Sequence, residues 1–484
     1  MRQRIIGSWV AAIALLPLTL EAVEAPAAPA IANAGAPLRL SYGGTVGPPV
    51  APTSCQAPVA RSVLPFPEVQ HLGVHTVGDT VVFHVPPGTG SISIIEQAVG
   101  SIPATISYGA PPPDGFPIPN SAVITLLTEP DGTVLYDDFQ PYPADLTTMH
   151  LDLGLPEVGT SVATLPNTSQ ALFDSRGAGY PPGHWSVEVN DYAFECTQPV
   201  YAAICFGGTT TDRYDITVIT KPIAPRAGSV NVSVYLATEA LTARTAVASP
   251  SMHRFVNTVA GLYAQAGIGL DRVTIYDLPD WAKLRYASGV DAADTGPCSN
   301  LAQLLTLSRP ANELAFFFVD AILVDGGNFN VVGIDGSIPG PASLGGTIAS
   351  GSVVTASDLG AGTCGPVTDF ANCGADSVAY IAAHEGGHYM GLYHTTEATG
   401  DNFDPLRDTP TCTCSACFDA AHAALCEAYE WYKDAATCTQ TRSSPCGGGN
   451  NLMFWVFDTT VPQGVLSPEQ AKVMRANPLV QSGD

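Results

Sequence analysis

Charge is scarce in this sequence. Asp, Glu, Lys and Arg together make up 13% of the 484 residues, and 19 basic side chains face 44 acidic ones, for a formal charge of -25. So few cations cannot neutralise a phosphate backbone, which excludes nucleic acid as a partner. Beyond the first twenty residues there is no long unbroken apolar run, which excludes a membrane anchor in the mature chain. What is plentiful is apolar side chain, 46% of the total. That is ample for more than one core, and the length fits two or three domains.

Residues 1–25 carry Arg2 and Arg4, an apolar run from Ile5 to Leu20, and Val23-Glu24-Ala25 ahead of a Pro/Ala-rich tract. This order reads as a secretory signal peptide, so the expected location is secreted, extracellular or periplasmic. Twelve cysteines in an exported chain are most simply six disulfides. Cys196 and Cys205 flank an expected hairpin and could pair. Cys55 has no obvious partner, and the alternative for it is a thiolate that blocks a metal site until the segment is displaced.

Residues 26–62 are rich in Ala, Pro and Gly without periodicity, as expected of a linker or pro-segment. Residues 63–222 hold short runs of β-branched and aromatic residues between Pro, Gly and Asp clusters, such as Thr80–Val85, Ala122–Leu127, Trp185–Val189 and Tyr214–Ile219. These predict an all-β sandwich serving as an accessory domain. From residue 228 to 484 strand and helix patterns alternate. Val230–Leu236 and Val273–Leu278 read as strands, Ser249-Pro250 opens a helix, and Leu314–Val324 is a nearly unbroken apolar strand. Such alternation predicts an α/β domain with a mostly parallel, twisted sheet. One further helix is expected around Phe418–Lys433.

The chemistry concentrates in residues 384–394, H-E-G-G-H-Y-M-G-L-Y-H. On a helix, residues four apart share a face, so His384 and His388 can reach one ion. Gly391 can take the left-handed conformation that ends the helix and brings His394 back as a third nitrogen. Three protein ligands with a fourth position open are the pattern of a catalytic zinc, and Glu385 stands beside them as a general base. Asp376 or Ser377 is the expected cap of this helix. Gly386 and Gly387 each cost about 1 kcal/mol of helix propensity, and the expected return is close approach of neighbouring elements.

The same eleven residues match the long metzincin motif. With Gly400-Asp401, Asp408-Thr409-Pro410, Asn451-Leu452-Met453 and Leu466-Ser467-Pro468-Glu469-Gln470, the chain from about 376 to 475 resembles the pappalysin family of metzincin endopeptidases. The resemblance implies a zinc metalloendopeptidase acting on protein or peptide substrates. It further implies a Met-turn at Met453 beneath the histidines and an edge strand over Thr347–Thr355 that lines the cleft. Where the family carries a tyrosine two residues after that methionine, this chain has Trp455, whose indole N–H is a possible transition-state donor. Asp401, Asp404 and Asp408 correspond to a region that binds calcium in the family; a solvated acidic loop is the alternative. Pro130-Asp131-Gly132-Thr133 with Gly183-His184-Trp185 resembles the P-domain type of accessory sandwich.

Cys412, Cys414, Cys417, Cys426, Cys438 and Cys446 crowd one stretch, where disulfides are expected and a second, structural zinc is the alternative. The leading expectation is a secreted zinc endopeptidase. The alternative is a catalytically inactive metzincin-fold or β-sandwich protein that binds or adheres.

Overall fold

The structure, a computed structural model, describes residues 38–53, 68–99, 121–137, 160–175, 179–192, 213–223, 226–292, 298–309, 311–323, 331–397, 403–411, 447–459, 461 and 463–482. The signal peptide, Cys55, Cys196, Cys205, Asp401, the six cysteines from 412 to 446 and the helix expected at Phe418–Lys433 lie outside the described residues.

In chain order, β1 (Leu40–Thr45) precedes β2 (Glu68–Thr76), β3 (Thr80–Val85), β4 (Thr89–Val99), β5 (Ser121–Thr128), β6 (Val134–Asp137), β7 (Thr160–Leu165), α1 (Ser169–Ser175), β8 (Gly183–Tyr192) and β9 (Arg213–Pro222). There follow β10 (Gly228–Leu236), α2 (Ala243–Ala246), α3 (Pro250–Ala264), β11 (Ile268–Asp277), α4 (Asp280–Tyr286), β12 (Val290–Asp291), α5 (Asn300–Leu305) and β13 (Leu314–Val319). The chain closes with β14 (Ile322–Leu323), β15 (Gly333–Asp335), β16 (Ser352–Thr355), α6 (Gly374–Tyr389), α7 (Pro468–Ala476) and β17 (Gln481–Ser482). The result is a mixed α/β protein built on several sheets. No described helix is long and apolar enough to cross a membrane.

Two four-stranded antiparallel sheets, ordered β2-β9-β4-β7 and β3-β8-β5-β6, enclose one apolar core. Alternation along each strand produces it: Val81, Phe83 and Val85 point inward while Thr80, Val82 and His84 face solvent. Trp185 is fully buried at its centre, and its indole N–H is satisfied by the Pro181 carbonyl at 2.9 Å.

Glu96 follows Ile92 and Ile94 on the inward face of β4, and neither of its carboxylate oxygens has a hydrogen-bond partner. Burial pushes this carboxyl from an ordinary 4.5 up to about 8. A raised carboxyl pKa means that the unfolded chain loses its proton first. Its contribution is therefore intact below pH 4.5 and is lost as pH rises toward 8, at about 1.4 kcal/mol per pH unit. Glu96→Gln should melt well above the parent at pH 8 and close to it at pH 4.5. An equal difference at both values would show that Glu96 is not the titrating group.

The second unit is a seven-stranded sheet ordered β1-β11-β10-β13-β16-β15, with β17 also on β10. Every pairing along that order is parallel except β15 on β16. Helices α3 and α6 cover one face and α4 and α5 the other. Accordingly β13 is buried at all six positions. Helix α3 starts as expected: the Ser249 hydroxyl accepts from Met252 N, and Pro250 takes the first turn.

Three expectations need correction. Leu40–Thr45, inside the stretch read as a linker, is a strand paired in parallel with Val273–Asp277; as an edge strand it needs backbone pairing more than an apolar pattern. The strand expected over 347–355 is reduced to Ser352–Thr355, because Thr347 and Ser350 bond to one another in a turn and Gly351 has φ +139. It is also interior to the sheet, and the edge on that side among the described residues is β15. Finally, Cys373 occupies the N-cap of α6 and is disulfide-bonded to Cys364. Asp376 lies inside the first turn, where it accepts from Arg254 Nε and Nη2 at 2.7 and 2.8 Å and from the Thr258 hydroxyl at 2.6 Å. A fully buried carboxylate needs such a partner, and that need outweighs capping.

Candidate metal centre

The two glycines of α6 are explained by what lies against them. A Cβ on Gly386 would sit 2.2 Å from the Tyr263 hydroxyl of α3, and one on Gly387 would sit 2.6 Å from Met453 Sδ. Their helix-propensity cost thus lets α6 seat close against α3 on one side and the Met453 turn on the other. The helix ends at Tyr389, Gly391 takes φ +100, and Leu392 N bonds back to the Gly387 carbonyl. This turn returns His394 to the two helical histidines.

The three Nε2 atoms converge. His388 Nε2 is 3.1 Å from both His384 Nε2 and His394 Nε2, and the last two are 3.2 Å apart. Each Nδ1 is committed elsewhere: His384 to the Leu452 carbonyl at 2.7 Å, His388 to the Leu392 carbonyl at 2.7 Å, and His394 to Glu397 Oε1 at 2.8 Å. Carbonyl and carboxylate oxygens only accept, so each Nδ1 carries the proton and each Nε2 presents a lone pair. Three lone pairs aimed at one another repel unless a cation lies between them. Nitrogens about 2.0–2.1 Å from one tetrahedral zinc stand roughly 3.3 Å apart, close to the spacing here. The donor set fits a metal ion, and these are the side chains that converge this way among the described residues.

Electrostatics favours neutral rings. Burial, with His394 next, lowers His384 to about 3, and the same causes hold His388 well below 6.5. For a histidine with a depressed pKa the unfolded chain binds the proton first. Stability is therefore full above pH 6.5 and falls as pH drops toward 3, at about 1.4 kcal/mol per pH unit for His384. In the folded chain both rings thus stay neutral, as ligation requires, well below pH 6.5, and their effect on stability runs opposite to that of Glu96 over the same interval.

Glu385 is buried beside the ligands, and burial pushes its carboxyl up to about 8. A divalent ion on the three imidazoles would oppose that shift. The carboxylate lies against β15, so closely that a Cβ built on Gly333 would be 2.3 Å from Glu385 Oε1. Met453 underlies the site, with its amide bonded to Asn451 Oδ1 at 2.8 Å and its carbonyl accepting from Thr395 N at 3.0 Å. Trp455 lies half-buried two residues further on.

The acidic residues are placed differently. Asp408 accepts from the Ser467 hydroxyl at 2.6 Å and from Glu469 N at 2.8 Å, which makes it part of the cap of α7. Asp404 is buried on Thr409 with one oxygen unpartnered, and burial pushes it up to about 7. Sequence reasoning missed Glu397 and Gly333. Glu397 was within reach of it, because ligand histidines usually give their second nitrogen to a carboxylate or carbonyl. Gly333 carries no local signal, since its constraint comes from a helix distant in the chain.

No family model matches the sequence, and no curated protein matches it. Among solved structures, the crystal structure of metalloproteinase-II from Bacteroides fragilis aligns with 40% of this chain and 58% of that one, at 13% identity and a TM-score of 0.22. This chain thus spans less than two thirds of that protein, and a likeness so small does not establish a shared fold.

Proposed function

We propose that this protein is a zinc-dependent endopeptidase, metzincin-like and with the sequence pattern of the pappalysins, acting on protein or peptide substrates outside the cytoplasm. The observation that carries the reading is the convergence of three imidazole Nε2 atoms within 3.2 Å, with a fourth titratable group, the buried Glu385, beside them. His384, His388 and His394 would hold zinc. When bound, zinc supplies Lewis-acid polarisation of a carbonyl and acidifies water. Glu385 accepts the proton of the attacking water and hands it to the leaving amine. Trp455 is the candidate donor to the reacting carbonyl, and Met453 is the apolar floor.

Strand β15, at the described sheet edge and against Glu385, would pair with an extended substrate, the role that the sequence suggests for Thr347–Thr355. The Cys364–Cys373 disulfide and the N-terminal leader support an oxidising location. The binding-only alternative is disfavoured because a purely structural metal site has no use for a buried carboxyl that ligates nothing. Calcium remains a proposal for Asp401 and Asp404, whereas Asp408 is engaged in the α7 cap. Metal analysis of the purified protein combined with digestion of a peptide library tests the whole reading: about one zinc per chain and internal cleavage are expected. A zinc-free, inactive protein would overturn it.

A further inference from the structure

Helix α7 touches the candidate metal centre from behind. Its Gln470 side chain forms a reciprocal amide pair with Asn451, Asn451 Nδ2 to Gln470 Oε1 at 2.9 Å and Gln470 Nε2 to Asn451 Oδ1 at 3.2 Å. Asn451 Oδ1 also takes the Met453 amide, and the carbonyl between them, that of Leu452, holds His384 Nδ1 at 2.7 Å. Further along α7, Val473 Cγ1 lies 3.5 Å from where a Cβ on Gly391 would sit, and Asn477 Nδ2, at the C-cap, reaches the Tyr389 carbonyl at 3.4 Å. Both contacts fall where the ligand helix turns toward His394. The position of α7 therefore sets the direction of one imidazole and the turn that delivers another.

The two-sheet unit grips α7 at both ends. At the start, the Ser169 hydroxyl of α1 donates to Glu469 Oε2 and accepts from Arg407 N at 2.7 Å, while Ser169 N bonds to the Pro405 carbonyl at 3.1 Å. At the finish, the buried Lys221 Nζ, on β9, donates to the Arg475 carbonyl at 2.6 Å and the Asn477 carbonyl at 3.0 Å. A donor on the last carbonyls of a helix satisfies acceptors that the helix itself leaves open. Neither residue lies near the histidines in the chain.

We propose that the two-sheet unit tunes metal affinity by fixing α7, with Ser169 and Lys221 as positioning residues and the Gln470–Asn451 pair as the link to His384. This rests on the metal reading above, and it gives the unit a part in the site itself. Loss of groups that orient metal-binding histidines typically weakens affinity 10–100-fold. One step further out, the low end is expected.

The test compares Ser169→Ala, Lys221→Met and Val187→Ala in the full chain, measuring zinc affinity by chelator competition and the melting temperature of each. Val187 is fully buried in the two-sheet core, and its truncation lowers stability without removing a contact to α7. Ser169→Ala and Lys221→Met should each weaken zinc binding about tenfold, while Val187→Ala should lose melting temperature and keep zinc affinity. Ser169→Ala removes one hydroxyl and keeps the comparison available should Lys221→Met not fold. Parent-like zinc affinity in Ser169→Ala overturns the proposal, as does a loss in Val187→Ala that matches the others. A parent that binds no zinc overturns the metal reading instead, and the two failures are distinguishable because the parent is measured in the same titration.

Discussion

Glu385→Ala should bind zinc as the parent does and cleave a denatured protein substrate no faster than background. Nothing that orients the ligands passes through this carboxylate: the three Nδ1 atoms are held by Leu452, Leu392 and Glu397. Removing it also removes a buried group that burial disfavours in its charged form, so the fold should survive or gain. General-base catalysis contributes about 10²–10⁴-fold, and with delivery of the proton to the amine also lost, the upper end is expected. His388→Ala should lose metal and activity together, because His388 Nε2 is 3.1 Å from each of the other two. Metal content alongside turnover separates the cases. Parent-like cleavage by zinc-loaded Glu385→Ala would remove the endopeptidase reading at its centre.

Gly333→Ala is the second large effect. Its new Cβ would fall 2.3 Å from Glu385 Oε1, 2.8 Å from Cδ and 2.8 Å from Cγ. The obstruction is the end of a flexible side chain, so the carboxylate yields and β15 stays in place. A displacement on the order of 1 Å can cost roughly 10²-fold in rate. The variant should therefore lose about two orders of magnitude in kcat with unchanged zinc affinity. An unaltered kcat would mean that Glu385 has room to spare, which the packing against β15 denies.

The parts legible in the sequence are those whose cause is local. His384, His388, Gly391 and His394 are tied by helical spacing and one left-handed residue, and the structure brings the three rings together. The alternating Thr80–Val85 and the capped start of α3 are equally local in cause. Asp376 misleads because an acidic residue near a helix start fits a cap, whereas its real partner, Arg254, is 122 residues away. Strand β15 has three residues, and the one against Glu385 is a glycine, so no period marks it. Cys373 at the α6 N-cap has no oxygen to cap with, and its place is fixed by the disulfide to Cys364.

Strand β1 has a consequence for the order of assembly. Ser41 bonds to the Val273 carbonyl across a separation of 232 residues, so the chain starts one sheet, builds an entire second unit, and then returns to finish the first. The entropic cost of closing so long a loop grows only logarithmically, which makes the arrangement tolerable at equilibrium. Kinetically it is different: on the ribosome, β1 is made well before β11 and must wait for it before it has a partner. Until then β1 is an unpaired strand, and until β1 arrives β11 is an open edge available to any other chain. A fragment that begins at residue 228 would keep that edge permanently, and self-association is the behaviour to expect of it.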